Sequence, residues 1–279
     1  MTKHLMNIVI IILSILLFIT ITWMLTKYLA DREFTKQVNA LFANSGKIQN
    51  KNFQYSQLQN LPEPVQRYFK LVLPEGQTYI SYVRLKHDGK FKSGPDKKWT
   101  AIEGEQYFTV QSPGFIWKGS TNMFTAKDMF LSGKGSLTVS LFSMIKIVDA
   151  TGEKYDDGEI LRWLAESVWF PTNLLPSDNL IWTAVNSEQA NLLFTLDKKE
   201  LNYLVTFNEK GEIVSFQTKR YMNEDSLEIW LGNVSSYNRI NGLLIPTMIE
   251  AVYKLKTGDY SYAKFNLKNI EYDIPQKFE

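Results

Sequence analysis

The chain has 279 residues, and its 31 basic and 29 acidic side chains nearly cancel, leaving a formal charge of +2. It contains no cysteine and two histidines, His4 and His87. This excludes disulfides, a cysteine nucleophile and a zinc site built from three or four Cys and His ligands. The balanced charge excludes an electrostatic nucleic-acid binder, which carries a clear basic excess.

Leu5 to Thr26 is a run of 22 residues without a charge. As a helix it reaches roughly 33 Å, which matches a bilayer core of about 30 Å. Trp23 and Tyr28 stand at its distal end, where aromatic rings favour the interface. Residues 1–30 are therefore expected to be a transmembrane anchor, with residues 5–26 in the bilayer. A cleaved signal peptide is the rival reading. Its apolar stretch would be about 7–15 residues with small side chains before the cut, whereas Tyr28-Leu29-Ala30 puts a ring where a small residue is needed. Lys27, Arg32 and Lys36 follow the span and only Lys3 precedes it, a count that leans against an outside body. A short tail with one Lys before a long apolar run resembles an uncleaved export signal. On that ground the body is expected outside the cytoplasm, anchored to the cell membrane.

Residues 31–60 read as an amphipathic helix and a linker. Phe34, Val38, Leu41 and Phe42 fall at i, i+4, i+7 and i+8, one apolar stripe, and Asn44-Ser45-Gly46 supplies the stop. The polar stretch up to Asn60 reads as the linker.

Residues 61–279 read as a single β-rich domain. A short helix is expected over Pro64–Val72, ended by Pro74. Period-two runs follow at Tyr79–Leu85, Trp99–Val110, Phe115–Thr121 and Ser136–Val148, with turns at His87–Lys90, Ser93–Asp96, Ser112–Gly114 and Ser132–Gly135. Leu201–Phe207, Ile213–Lys219, Leu231–Ile240, Leu243–Leu255 and Tyr260–Tyr272 repeat the style, and Asn241-Gly242 is a strong hairpin signal. About twelve strands with short connections imply antiparallel neighbours. One helix interrupts them at Glu159–Trp169, with Asp156-Asp157-Gly158 as its acidic start and Pro171 as its stop. The expected fold is mainly β (α+β): a transmembrane helix, then a curved antiparallel half-barrel whose hollow the inserted aromatic helix plugs.

Ser132-Gly133-Lys134-Gly135-Ser136 lacks the phosphate-loop spacing, and Asp156–Glu159 has too few alternating oxygen ligands for an EF-hand. They read as a hairpin turn and a helix cap, and no metal or cofactor is expected. No G-x-S-x-G nucleophile motif is present, so no catalytic residue is assigned. Glu159, Arg162 and Glu166 share one side of the inserted helix. They read either as a solvated ion-pair face or as a face that directs Glu166 into the hollow. The aromatic content is high, with 7 Trp, 14 Tyr and 17 Phe. Part of it is expected to be core and part to line the hollow. The candidate ligand-binding residues are Tyr107, Phe115, Trp117, Trp163, Glu166 and Trp169. Three functions stay open: binding of a lipid-like or other apolar ligand, an envelope enzyme acting on glycan or lipid through Glu166 or Asp149, and a structural module without a ligand.

Four segments together carry a resemblance: LPEPVQRYF at Leu61–Phe69, EQYFTV with PGFIW between Glu105 and Trp117, VDATG at Val148–Gly152, and LAESVWFPT at Leu164–Thr172. The chain resembles an uncharacterised family of bacterial proteins, often with one amino-terminal span, over about Leu61–Tyr272. Ser112 and Trp163 depart from the family's more frequent Pro and Tyr. More distantly, the order of elements looks like the lipoprotein-carrier half-barrels of the bacterial envelope. That resemblance implies a curved sheet around an apolar cavity, and fold alone does not give function.

Overall fold

The computed structural model describes residues 2–223 and 225–279. One unbroken helix, α1 (Thr2–Ala43), takes in both the apolar run and the amphipathic stretch. No Gly or Pro interrupts it, so nothing in the backbone separates the two. The hydroxyls of Thr20, Thr22 and Thr26 donate to the carbonyls of Leu16, Phe18 and Thr22 at 2.8–3.0 Å, which satisfies them without water. The polar stretch after α1 is tied to the body. Phe53 is fully buried, and its N–H donates to the Gln77 carbonyl at 2.8 Å.

Helix α2 (Glu63–Val72) buries Val65, Tyr68, Phe69 and Val72. The first half of the sheet is β1 (Tyr82–Phe91), β2 (Thr100–Thr109), β3 (Gly114–Ser120), β4 (Phe124–Leu131), β5 (Lys134–Leu141) and β6 (Ile145–Thr151). Helix α3 (Glu153–Glu166) follows, with tight turns at Ser167–Trp169 and Pro171–Leu174. The second half is β7 (Leu180–Ala184), β8 (Gln189–Leu196), β9 (Lys199–Phe207), β10 (Ile213–Tyr221), β11 (Leu227–Ile240), β12 (Leu243–Leu255) and β13 (Gly258–Tyr272).

All thirteen strands form one antiparallel sheet in the order β6-β5-β4-β3-β2-β1-β13-β12-β11-β10-β9-β8-β7. Two meanders meet where β1 pairs with β13, so β6 and β7 are the edges. The chain must pass from one edge to the other, and α3 begins that crossing. It packs on β4, β5 and β6 from one meander and on β10 from the other, so the sheet curves around it.

Thirteen strands replace the expected twelve or so. Ser136–Val148 is two strands, folded at Phe142 and Ser143, whose φ angles are 49° and 59°. Neither residue is Gly, Asn or Asp, so the turn carried no signal. His87–Lys90, expected as a turn, runs through β1, and the register shifts there against β13. A Cβ on Gly89 would lie 2.0 Å from the Lys264 carbonyl oxygen, so this glycine serves close strand approach. Strands β4, β7 and β8 lie in stretches without a clean period. Helix α3 starts six residues before the expected Glu159. Inside it, the Asp156 carboxylate accepts from the Gly135 N–H at 2.7 Å and from Lys134 at 3.0 Å. The Gly-rich segment is thus the β4–β5 turn, pinned to α3.

Two cores result. The main one fills the concave side with α2, α3 and the inward residues of the strands. On the outer face, Phe34, Val38, Leu41 and Phe42 of α1 pack on Tyr82, Tyr107, Ile116 and Phe278.

Candidate functional site

The concave face is unevenly filled. At the end where β1 starts, Phe108, Phe115, Trp163, Trp169 and Phe170 are buried together. At the other end the inward residues of β4, β11, β12 and β13 include Ala126, Gly232, Ala251 and Ala263. These small side chains leave a cavity of about 750 Å³ beneath α3. Trp117, Leu137, Phe216, Trp230, Tyr253 and Phe265 are among its walls, and Phe91–Pro95 with Tyr221–Asn223 form its rim. A second hollow of about 260 Å³ lies where Leu41 and Asn44 meet the β4–β5 turn. The larger cavity is the candidate site because it alone contains the buried ion cluster.

That cluster hangs mainly from α3. Arg162 donates from Nε to Glu166 at 2.9 Å and from Nη1 to Asp128 of β4 at 2.5 Å. Gln106 of β2 donates to the other Glu166 oxygen at 2.6 Å. Arg220 of β10 donates to Glu159 at 3.4 Å. The Arg162 guanidinium also lies 4.9 Å over the Trp117 ring. Three carboxylates thus face two arginines in an apolar enclosure. Burial is the largest influence on all three and raises them against the pull of the arginines. Asp128 and Glu166 move up, and Glu159 is pushed up to about 8, with Asp128 adding to the rise. Asp128 Oδ1 and Glu159 Oε2 are buried and have no hydrogen-bond partner. Buried polar atoms are seldom left so.

His87 faces the same cavity wall from β1. It stacks on Phe265 at 4.2 Å, and its Nε2 accepts from the Trp117 indole at 2.7 Å. Burial lowers it to about 4, so the ring is neutral at pH 7 and occupied as an acceptor. A Cβ on Gly104 would lie 2.2 Å from His87 Nε2, and one on Gly119 would lie 2.3 Å from the Trp117 ring. Only glycine lets both rings lie flat there.

Of the residues singled out from sequence, Trp117 and Glu166 line the cavity. Phe115 lies behind it, 5.1 Å under the Arg162 guanidinium. Trp163 and Trp169 are core, their indoles donating to the Thr109 and Pro246 carbonyls at 3.0 Å. Tyr107 is on the opposite face, edge-on to Phe34 and Phe42 of α1 and donating to Glu105 at 2.5 Å. Asp149 is exposed and paired with Lys146 at 2.8 Å. The charged side of α3 is turned inward, with Glu159 and Glu166 both buried. Sequence reading missed Asp128 and Arg220. The available signal was a charge in the inward register of an alternating strand, as Asp128 is between Ala126 and Phe130. Among the described residues, no group of three or more His, Cys, Asp or Glu could hold a metal ion.

The sequence matches a family of unknown function (DUF6544) over residues 51–265, and the chain belongs to that family. Among curated proteins none matches the sequence. Solved structures with a similar arrangement include a LolA superfamily protein from Nitrosomonas europaea, with TM-score 0.42 and 10% identity over 77% of this chain and 93% of that one. An outer membrane lipoprotein-sorting protein domain from Vibrio parahaemolyticus gives TM-score 0.40 and 8% identity over 71% of this chain and 87% of that one. At these scores and identities the likeness says nothing about a ligand.

Proposed function

We propose that this is a membrane-anchored binding protein whose cavity holds a lipid-like amphiphile, an apolar body with a polar end that donates hydrogen bonds. The observation that carries this is the cavity itself. Its volume of about 750 Å³ is in the range of small-molecule sites, roughly 300–1,000 Å³, which combine apolar walls with a few placed polar groups. The polar groups here are two carboxylate oxygens without partners, Asp128 Oδ1 and Glu159 Oε2. A hydroxyl or ammonium would satisfy Asp128 Oδ1, a hydroxyl can also pair with Glu159, whose carboxyl keeps its proton to about 8, and an anionic head would add a negative charge among buried acids already raised by burial.

The test uses the full chain in amphipol, titrated with dodecanol, dodecylamine and dodecanoate while emission from the cavity tryptophans, Trp117 and Trp230, is followed. The alcohol and the amine are expected to bind and dodecanoate to bind weakest. Ala251→Phe, which fills the floor, is expected to weaken binding by roughly tenfold or more, about 1.4 kcal/mol. Absence of binding by all three probes would overturn the reading.

The anchor is the second part of the proposal. The side chains of α1 from Leu5 to Leu29 are largely exposed. The most apolar 18 residues of this helix have a mean hydropathy of 2.9 and no burial against the body, which supports a span in a cell membrane; that the body lies outside the cytoplasm rests on the likeness of the short tail with one Lys to an uncleaved export signal. Lys47 is exposed just after α1. In this cysteine-free chain, Lys47→Cys is expected to react with an impermeant thiol reagent on intact spheroplasts. Labelling only after lysis would place the body in the cytoplasm.

A further inference from the structure

The apolar half of α1 and the open end of the cavity are on the same side of the body. Leu41 touches Gly114 at the start of β3, since a Cβ there would lie 2.9 Å from Leu41 Cδ1. Asp31 pairs with Lys118 near the end of β3 at 3.2 Å. Between them, Gln37 accepts from Lys127 of β4 at 2.8 Å. Ten residues of helix advance about 15 Å and four of strand about 13 Å, so α1 runs nearly parallel to β3 toward Ser120. Continuing past Ser120 into the β3–β4 turn adds roughly 7–10 Å of strand, matched by about five or six helical residues. That brings the turn level with Leu25 and Thr26, where the uncharged run ends.

The side chains at that level are apolar and about half exposed. Met123, Phe142, Met144 and Ile145 are 40–57% exposed. The two turns that carry them are joined, with the Phe142 N–H donating to the Met123 carbonyl at 2.7 Å. Phe142 has φ 49°, a left-handed conformation that is costly for a bulky side chain and that Gly or Asn would relieve. A strained aromatic left nearly half exposed returns little to folding in water, and in a lipid interface the same ring is favoured. Next along β6, Ile147 is exposed and also lines the cavity, so apolar surface is continuous from the turns to the interior. Exposed Lys97 and Lys98 on the β1–β2 loop stand at the same end, suited to anionic headgroups.

We propose that the open end of the body rests on the bilayer, with the β3–β4 and β5–β6 turns entering its interface, so that the cavity takes its ligand directly from the membrane. This rests on reading α1 as a span. The test places single cysteines carrying a spin label at Ile15, Phe142, Met123 and Arg239 of the full chain. The protein is reconstituted in vesicles of phosphatidylcholine and phosphatidylglycerol. Arg239 is exposed at the β11–β12 end, away from the mouth. The ratio of oxygen to water-soluble nickel accessibility is expected to be highest at Ile15 and several-fold higher at Phe142 and Met123 than at Arg239. Including Met123 guards against the loss of the Phe142 ring itself. If both turn labels match Arg239 while Ile15 reads lipid, the docking proposal is overturned and the span stands. If Ile15 reads water, the span fails and docking fails with it.

Discussion

Arg162→Met is expected to destabilise the body by about 3–5 kcal/mol, the cost of leaving buried carboxylates without their partner. The guanidinium bonds Glu166 and Asp128 at once and covers Trp117. Removing it strands two acids already raised by burial. Both would then take up protons or draw water into the cavity. Arg162→Lys keeps the charge but loses the planar fork that serves two carboxylates, so it should recover only part of the loss. Urea unfolding of a fragment starting at Asp31, which keeps the outer contacts of Phe34–Phe42, gives the measurement. If the cluster acts as one unit, adding Glu166→Gln to Arg162→Met costs less than the two separate losses combined. Simple additivity would mean that Arg162 and Glu166 act independently. A loss below about 1 kcal/mol, the size of a surface pair, would mean that the cluster is open to water.

How much of this was legible in the sequence depends on how local each signal is. Helix α2 was legible because Val65, Tyr68, Phe69 and Val72 keep strict spacing between prolines. The β11–β12 hairpin was legible because Asn241-Gly242 suits a turn with two positive φ angles, 51° and 85°. The hairpin at Phe142-Ser143 was not, because its turn uses residues that pay for the conformation. The continuation of the span into the amphipathic stretch as one helix was legible too, since neither Gly nor Pro stands before Ala43. For the candidate site, aromatic content pointed to a hollow but not to its position. Alternation tells which residues share a face, not which face is concave. Hence Tyr107 and Trp117, both in a conspicuous aromatic stretch, lie on opposite sides of the sheet. Small residues made the cavity, and Ala126, Gly232, Ala251 and Ala263 attract no notice until the strands are in register. Glu159, Arg162 and Glu166 were visible as a helical face, yet charge on one side of a helix ordinarily faces water. Only the curl of the sheet around α3, set by edge strands more than twenty residues apart, turns that face inward.

The protein is expected to lose stability on going from pH 5 to pH 8, and Glu159 is expected to be the main cause. An ordinary glutamate ionises near 4.5, whereas Glu159 in the fold holds its proton to about 8. Its surroundings explain this. Burial dominates, Asp128 on β4 and Glu166 on α3 oppose a further negative charge, and Arg220 on β10 and Arg162 on α3 only partly offset them. Tyr253 of β12 and Tyr262 of β13 face the same group and are themselves held neutral. Below about pH 4.5 the folded and unfolded chains both carry the proton, so there is no penalty. Between the two values the unfolded chain releases it and the folded chain keeps it, so stability falls as pH rises. Above about pH 8 both are ionised and the loss is complete. At about 1.4 kcal/mol per unit, the total is on the order of a few kcal/mol. Asp128, also raised, acts with the same sign. His87, lowered to about 4, acts with the opposite sign up to about pH 6.5, where the unfolded imidazole holds a proton that the buried ring does not, so the net loss falls mainly between pH 6.5 and pH 8. Asp88, Asp156, Glu250 and Glu271 are lowered; their stabilisation is lost only as pH falls below the ordinary carboxylate range, outside this window. Glu159→Gln keeps an acceptor for Arg220 and has no proton to lose. Urea midpoints of the Asp31 fragment at pH 5, 6.5 and 8 should therefore show the variant gaining steadily on the parent, by the Glu159 contribution alone, because His87 acts equally in both. A constant difference across the three pH values would mean that Glu159 ionises normally and that its carboxyl is open to water.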